Sequence, residues 1–202
     1  MQIRLSVRYA SWGFPYTSEV KEKSVNHGYF DYKRNPEQIP NIPEVQDWPE
    51  LEEFVRSVNA RNSFFRTLGC DVGHTDREAD GYIHLKSFVD IAFEILELNF
   101  EKLNYYLTFD RLMEDRRYYQ LPNNVSADYV IQYTIFNDHK PEGLDDKRKT
   151  GWSATLRLHG IGRTEEEARN AWAAGLQFVQ EALARASVEN VGELRQGRET
   201  IS

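Results

Sequence analysis

The chain has 202 residues, 40% hydrophobic and 13% aromatic, and 32 acids against 25 bases give it a net charge of −7. This composition excludes a disordered chain and argues against unassisted binding to nucleic acid or anionic lipid, which needs clustered Lys and Arg. A single cysteine excludes an intramolecular disulfide and a thiolate zinc cluster, and no apolar run approaches the ~18 residues of a membrane span, so the expectation is a cytoplasmic protein.

The N-terminus alternates: Ile3, Leu5, Val7 and Tyr9 share one face and Arg4, Ser6 and Arg8 the other, which predicts a half-buried strand. Residues 10–46 form a long irregular loop with Pro15, Pro36, Pro40 and Pro43, within which HGYFDYK is a candidate short strand. It is rich in rings: Trp12, Phe14, Tyr16, Tyr29, Phe30 and Tyr32, a composition enriched at protein contact surfaces. A helix is predicted from Trp48, capped by Asp47 and opened by Pro49, with Leu51, Phe54, Val55 and Val58 as its apolar stripe.

Two strands follow, over 63–74 and 81–96, joined by GHTDREADGYIH. Its histidines and acids are metal-ligand types, so the strand register decides whether they converge. Pairing the apolar faces sets Phe64 against Phe93, Leu68 against Val89 and Val72 against Leu85. On the outer face this sets Asp71 against Lys86 and Phe88 over Gly69. The register closes with a loop from Arg77 to Asp80 and sends His74 inward and His84 outward, so the two cannot share an ion. Asp76, Glu78 and Asp80 then read as turn residues, and no metal or other cofactor is expected.

Residues 99–118 pattern both as helix and as strand. A helix capped by Asn99, with Leu103, Tyr106, Leu107, Asp110 and Met113 on one side, is favoured. Strands follow at Tyr129–Ile135 and Trp152–Leu158. A final helix starts at the capping box of Thr164 and Glu167 and carries the stripe Ala168, Trp172, Leu176, Val179 and Leu183. Periodicity fades at Val188, and 188–202 is predicted to be a flexible tail on a single domain spanning 1–187.

The predicted fold is α+β: an antiparallel sheet with helices on one face, in ferredoxin-like βαββαβ order with an appended strand and C-terminal helix. The stretch WSATLRLHG followed by GIGRTEEEARNAWAAGLQFVQEAL is similar to the last strand and helix of HicB-like antitoxins and of double-stranded RNA-binding domains. The RNA-binding domains carry lysines where this chain has Glu165, Glu166 and Glu167, so the likeness implies architecture and not RNA binding.

No nucleophile elbow, Walker loop, zincin helix or complete dinucleotide fingerprint occurs. Cys70 has the parity of an inward small hydrophobe, and HGIGRT reads as a strand-to-helix turn more than an anion cradle. The functional expectation is a non-enzymatic protein-binding module of antitoxin, inhibitor or immunity type, acting on a basic or nucleic-acid-handling partner. Its contact residues would be Trp12, Phe14, Tyr16, Tyr29, Phe30 and Tyr32 with Asp76, Glu78 and Asp80, since residues 47–125 hold 15 acids against 9 bases. The alternatives are an enzyme assembled from His74, Asp76 and His159, or a weak nucleic-acid binder using Arg4, Arg8 and Arg157.

Overall fold

A computed structural model describes residues 2–15, 19–21, 24–26, 28–73, 76–78, 80–115, 120–136 and 149–199. The elements in chain order are β1 (Gln2–Phe14), β2 (Glu19–Lys21), β3 (Ser24–Asn26), α1 (Pro49–Val58), β4 (Phe65–Val72), β5 (Asp76–Arg77), β6 (Ile83–Phe93), α2 (Lys102–Glu114), β7 (Val125–Phe136), β8 (Lys149–Gly162) and α3 (Glu165–Glu199). The fold is mixed α+β. Its main sheet has the order β1-β7-β8-β6-β4, with β5 paired to β6, and β2 pairs β3 separately.

Three expectations change here. The sheet is mixed rather than antiparallel, because β1 runs parallel to β7; the long intervening chain supplies the crossover that parallel pairing needs. The backbone of α3 continues past Val188 to Glu199, beyond where the pattern predicts a tail. The described part of HGYFDYK, residues 28–33, forms no strand: it is irregular and enters a turn at Tyr32, while short paired strands lie upstream at β2 and β3.

The β4–β6 hairpin forms with a corrected register. Phe65, not Phe64, faces Phe93, and after an irregularity between Thr67 and Gly69 the pairing becomes Cys70 with Val89 and Asp71 with Phe88. The extra residue at Leu68 turns that side chain to the opposite face, as a bulge does. Leu68 therefore leaves the main core, where Phe65 and Leu85 lie, and joins Phe14, Ala92 and Phe136 in a second cluster.

The helices cover one face. Leu51, Phe54, Val55 and Val58 of α1 are buried as their spacing predicts, although Trp48 and not Asp47 occupies the cap position and makes no side-chain cap bond. Proline at N1 opens this helix instead, since its missing N–H would be unsatisfied there anyway. The start of α3 is fixed by Thr164 Oγ1, which accepts from Glu167 N–H at 3.2 Å, and by Arg163 N–H, which donates to Glu167 Oε2 at 2.7 Å. The guanidinium of Arg169 donates to both Glu50 oxygens at 2.9 and 2.8 Å, tying α3 to α1.

HGIGRT is a packing device: a methyl on Gly160 would stand 2.5 Å from Trp172 N, and one on Gly162 2.6 Å from Glu167 Cβ. Those glycines let α3 lie directly on β8. Trp172 is fully buried there, and its indole donates to Ser87 Oγ at 2.7 Å.

Helix α2 forms where expected but turns differently. Tyr105, Thr108 and Leu112 face the core, while Leu103 and Leu107 are exposed. Asn99 explains the rotation. It is no helix cap: its Oδ1 accepts from Phe93 N–H at 2.9 Å and from the Tyr105 hydroxyl at 2.5 Å, fixing Tyr105 inward.

Candidate functional site

The face of the sheet away from the helices carries the chemistry, and the strand registers lay it out in rows. One row runs Arg4, Asp128, Arg157, Phe88, Asp71 across β1, β7, β8, β6 and β4. The row on the hairpin side sets Ser126, His159 and Lys86 side by side, and the row on the other side sets Val130, Thr155 and Asp90. Two regions develop at opposite ends of this face, on a single strand, β6.

The first is a cleft. Beyond the cis Phe14–Pro15 bond the irregular chain returns along β4, where Lys33 Nζ donates to the carbonyls of Ser63 and Phe65 at 2.6 and 2.8 Å. Ile39, Ile42 and Val45 anchor its second half in the core. Between this wall and the sheet lies a cleft of about 540 Å³, into which Trp12, Phe30, Tyr32 and Phe88 bring rings and Glu44, Asp71 and Asp90 bring carboxylates. Among the described residues no Lys, Arg or His side chain lines it.

Asp90 is the unusual member. It sits between Val89 and Ile91 in a strand, accepts a hydrogen bond from the Thr155 hydroxyl and another from Gln132 Nε2 at 3.4 Å. Burial pushes its carboxyl up to about 6, against the Thr155 hydrogen bond and the field of Arg157. The Cys70 thiol at the same wall is also pushed up by burial, which makes it an inert small hydrophobe as its parity predicts.

The six rings of the loop separate by role. Phe14 is buried, packing edge-on against Tyr29 with centroids 4.4 Å apart and against Phe136 at 6.1 Å. Both belong to the second hydrophobic cluster, which Trp12 also borders. Phe30 and Tyr32 meet at 5.2 Å at the cleft, and Phe30 is exposed. Tyr16 lies outside the described residues.

The second region is the hairpin end. Glu78 N–H donates to Tyr82 O and Gly81 N–H to Glu78 O, both at 2.9 Å, and Gly81 takes φ +81°; glycine accepts that left-handed backbone without a Cβ penalty. The acids of this turn fold back on their own hairpin. Asp80 Oδ1 accepts from Tyr82 N–H at 2.9 Å and its Oδ2 lies 3.0 Å from His84 Nε2. Glu78 pairs with Lys86. Both carboxyls are held below their ordinary range, Glu78 mainly by the Lys86 hydrogen bond and Asp80 mainly by the Tyr82 N–H.

His84 shares the face of Lys86 and Phe88, as its parity predicts, yet it is buried beneath these acids. Its Nδ1 stands 2.8 Å from His159 Nε2. His159 is pulled below the ordinary imidazole value by burial first, then by His84 and Lys86.

The structure sets His159, singled out from sequence for the enzyme alternative, against His84, a partner the sequence did not indicate. His74 and the Asp76 side chain lie outside the described residues; the backbone of Asp76 pairs with His84. Among the described residues no three His, Cys, Asp or Glu side chains are grouped to hold a metal ion, and no helix is long and apolar enough to cross a membrane. Of the aromatic and acidic contact residues, read from sequence as one surface, Trp12, Phe30 and Tyr32 line the cleft, Phe14 and Tyr29 pack in the second cluster, and Glu78 and Asp80 lie at the hairpin end. No protein-family model matches the chain, and no curated protein or solved structure is significantly similar to it.

Proposed function

We propose that this chain is a non-enzymatic binding module, of inhibitor, antitoxin or immunity type, that takes an arginine side chain of a basic protein partner into its aromatic cleft. The observation that carries the reading is the convergence of four rings and three carboxylates around one concavity, with no cation among the described residues that line it. A planar guanidinium satisfies both halves of that lining, stacking on ring faces while its five donors meet carboxylates. A lysine ammonium has the charge but not the plane.

Asp90 supports the same reading. A carboxyl with its value raised by burial opposes folding once ionised, and a guanidinium beside it would remove that penalty. Proteins of nucleic-acid-handling machines display arginines in quantity, so such a partner fits the acidic net charge of the chain as well. The single cysteine accords with a reducing, cytoplasmic setting.

Calorimetry with three peptides differing only at a central residue tests the proposal. The arginine peptide should bind, lysine should bind about tenfold more weakly, and the uncharged isostere citrulline should not bind measurably. Equal binding of arginine and citrulline would end the proposal.

A second reading draws on a separate observation. Arg4, Arg8 and Arg157 line one shallow groove on the open face, the arrangement a nucleic-acid-binding sheet would use. Asp128, however, pairs with Arg4 at 2.9 Å, and Asp71 and Asp90 share the face. Binding of single-stranded RNA at low salt, lost in an Arg4→Ala/Arg8→Ala/Arg157→Ala variant, would favour this reading over the first.

A further inference from the structure

We propose that the groove at the hairpin end of the open face is a second binding site, for a tetrahedral dianion such as a small phosphate monoester. Arg157 and His159 hold the ligand, and the His84–His159 pair takes up a proton as it binds.

The geometry starts from β8, where Arg157 and His159 project from the same face two residues apart. Across β7 they meet Asp128 and Ser126, and across β6 they meet Phe88 and Lys86. These strands enclose a groove of about 350 Å³ whose polar lining comprises Arg4, Lys86, Arg157, His159 and two serines together with the carboxylates of Asp71 and Asp128. That volume suits a small ligand.

The charges around the groove are mostly cancelled in pairs. Asp128 is bound to Arg4 and Glu78 to Lys86. Asp80 is held by Tyr82 N–H and His84. Asp71 lines the groove from β4, with Phe88 between it and Arg157. Among the described residues Arg157 makes no hydrogen bond or ion pair, so its guanidinium keeps its full donor set for a ligand, although its charge also acts on Asp90.

The histidines supply the remaining charge. Asp80 lies 3.0 Å from His84 Nε2, which places the proton of His84 on that nitrogen and leaves Nδ1 as an acceptor. His84 Nδ1 then receives the Nε2–H of His159 across 2.8 Å. The one lone pair left on His159 is at Nδ1. A proton taken there turns His159 into a donor, and Asp80 and Glu78, whose Oε1 is 3.8 Å from His84 Nδ1, offset the added charge. Burial, His84 and Lys86 oppose protonation of His159 while the groove is empty, against Glu78 and Asp128 which favour it, and a bound dianion adds to the favourable side.

The same surroundings select against polyanions. Asp71, Glu78, Asp80 and Asp128 bracket the groove on β4, the turn and β7, so an extended phosphodiester chain meets like charge on leaving it. A single dianion matches Arg157 plus one proton.

The test is calorimetric titration of the full chain with sulfate, whose charge does not change across the histidine range, followed by inorganic phosphate and a phosphate monoester. Sulfate binding should weaken as pH rises through the imidazole range, by up to about tenfold per pH unit, with proton uptake visible as a dependence of the heat on buffer ionisation. Arg157→Gln should weaken sulfate by about tenfold or more at every pH. His159→Gln should remove the proton uptake along with most of the affinity.

His84→Gln tests a positioning role: it should keep sulfate binding but flatten the pH profile. A thermal midpoint within a few degrees of the parent confirms that each variant is folded. Sulfate binding that is pH-independent and without proton uptake would overturn the proposal. So would stoichiometric zinc uptake that His84→Gln and His159→Gln abolish, or a single-stranded oligonucleotide that binds more tightly than the monoester and requires Arg4 and Arg8.

Discussion

The cleft and the groove are built on the same strand and differ in sign. At one end of β6, Asp90 sits among rings and carboxylates; at the other, His84 meets His159 under two acids. Burial acts on both ends by one rule: it disfavours charge, lifting the Asp90 carboxyl and lowering the His159 imidazole. Each group is displaced toward its neutral form because burial outweighs the opposite charges nearby, Arg157 and Arg8 for Asp90 and Glu78 and Asp128 for His159. Partly buried titratable groups on an open sheet face thus indicate what each end would accept.

The largest expected effect removes what both regions share. Trp172 is fully buried under β6 and donates to Ser87, so Trp172→Ala should cost about 3–5 kcal/mol in denaturant unfolding. Arginine and sulfate binding should fall together, each in proportion to the folded fraction. Loss of one without the other would mean that the two ends do not rest on a common scaffold.

Asp90→Asn separates them. With its carboxyl raised from the ordinary 3.8 to about 6, the folded state holds a proton that the unfolded state has released. Stability therefore falls as pH climbs from about 4 to about 6 and stays lower above it, by about 3 kcal/mol. Asp90→Asn should match the parent at pH about 4 and exceed it above pH about 6, by up to that amount. It should also weaken the arginine peptide by about tenfold and leave sulfate unchanged. A stability difference that is flat with pH would contradict the assignment.

Opposite pH slopes give a smaller but sharper contrast. Arginine affinity should rise with pH through about 6, because only ionised Asp90 attracts it, and sulfate affinity should fall as His159 loses its proton. Gly81→Ala is the mildest test. Nothing crowds a Cβ there, but φ is +81°, so the cost should be about 1 kcal/mol. It should loosen Asp80 from His84, weaken sulfate slightly and leave arginine binding untouched.

The sequence made some of this legible. The alternation of Ile3, Leu5 and Val7 and the stripe from Leu51 to Val58 mark elements whose burial is set by local periodicity. Gly69 inside a strand was the visible sign of the irregularity that shifts the β4–β6 register, since an isolated glycine in a strand marks a bulge or close approach. Read that way, it would have placed Leu68 with Phe14. Asp90 was visible too, as a lone acid between Val89 and Ile91 in an apolar run.

The His84–His159 contact was not legible. It joins residues 75 apart in sequence, and it follows from β8 entering the sheet between β6 and β7 rather than at an edge. No local pattern records that choice. The rotation of α2 was hidden for the same kind of reason, because the polar hub at Asn99 and Tyr105 overrides the apolar pattern of Leu103 and Leu107.

The most direct measurement is the titration of the Asp90 side-chain carboxyl by carbon-detected NMR, with and without saturating arginine methyl ester. In the free protein the midpoint should lie at about 6, and bound guanidinium should lower it by about one pH unit or more, with protons released on binding near the free midpoint. A midpoint that arginine does not move, in a protein whose Asp90 titrates alone at its ordinary value, would contradict the cleft as a cation receptor.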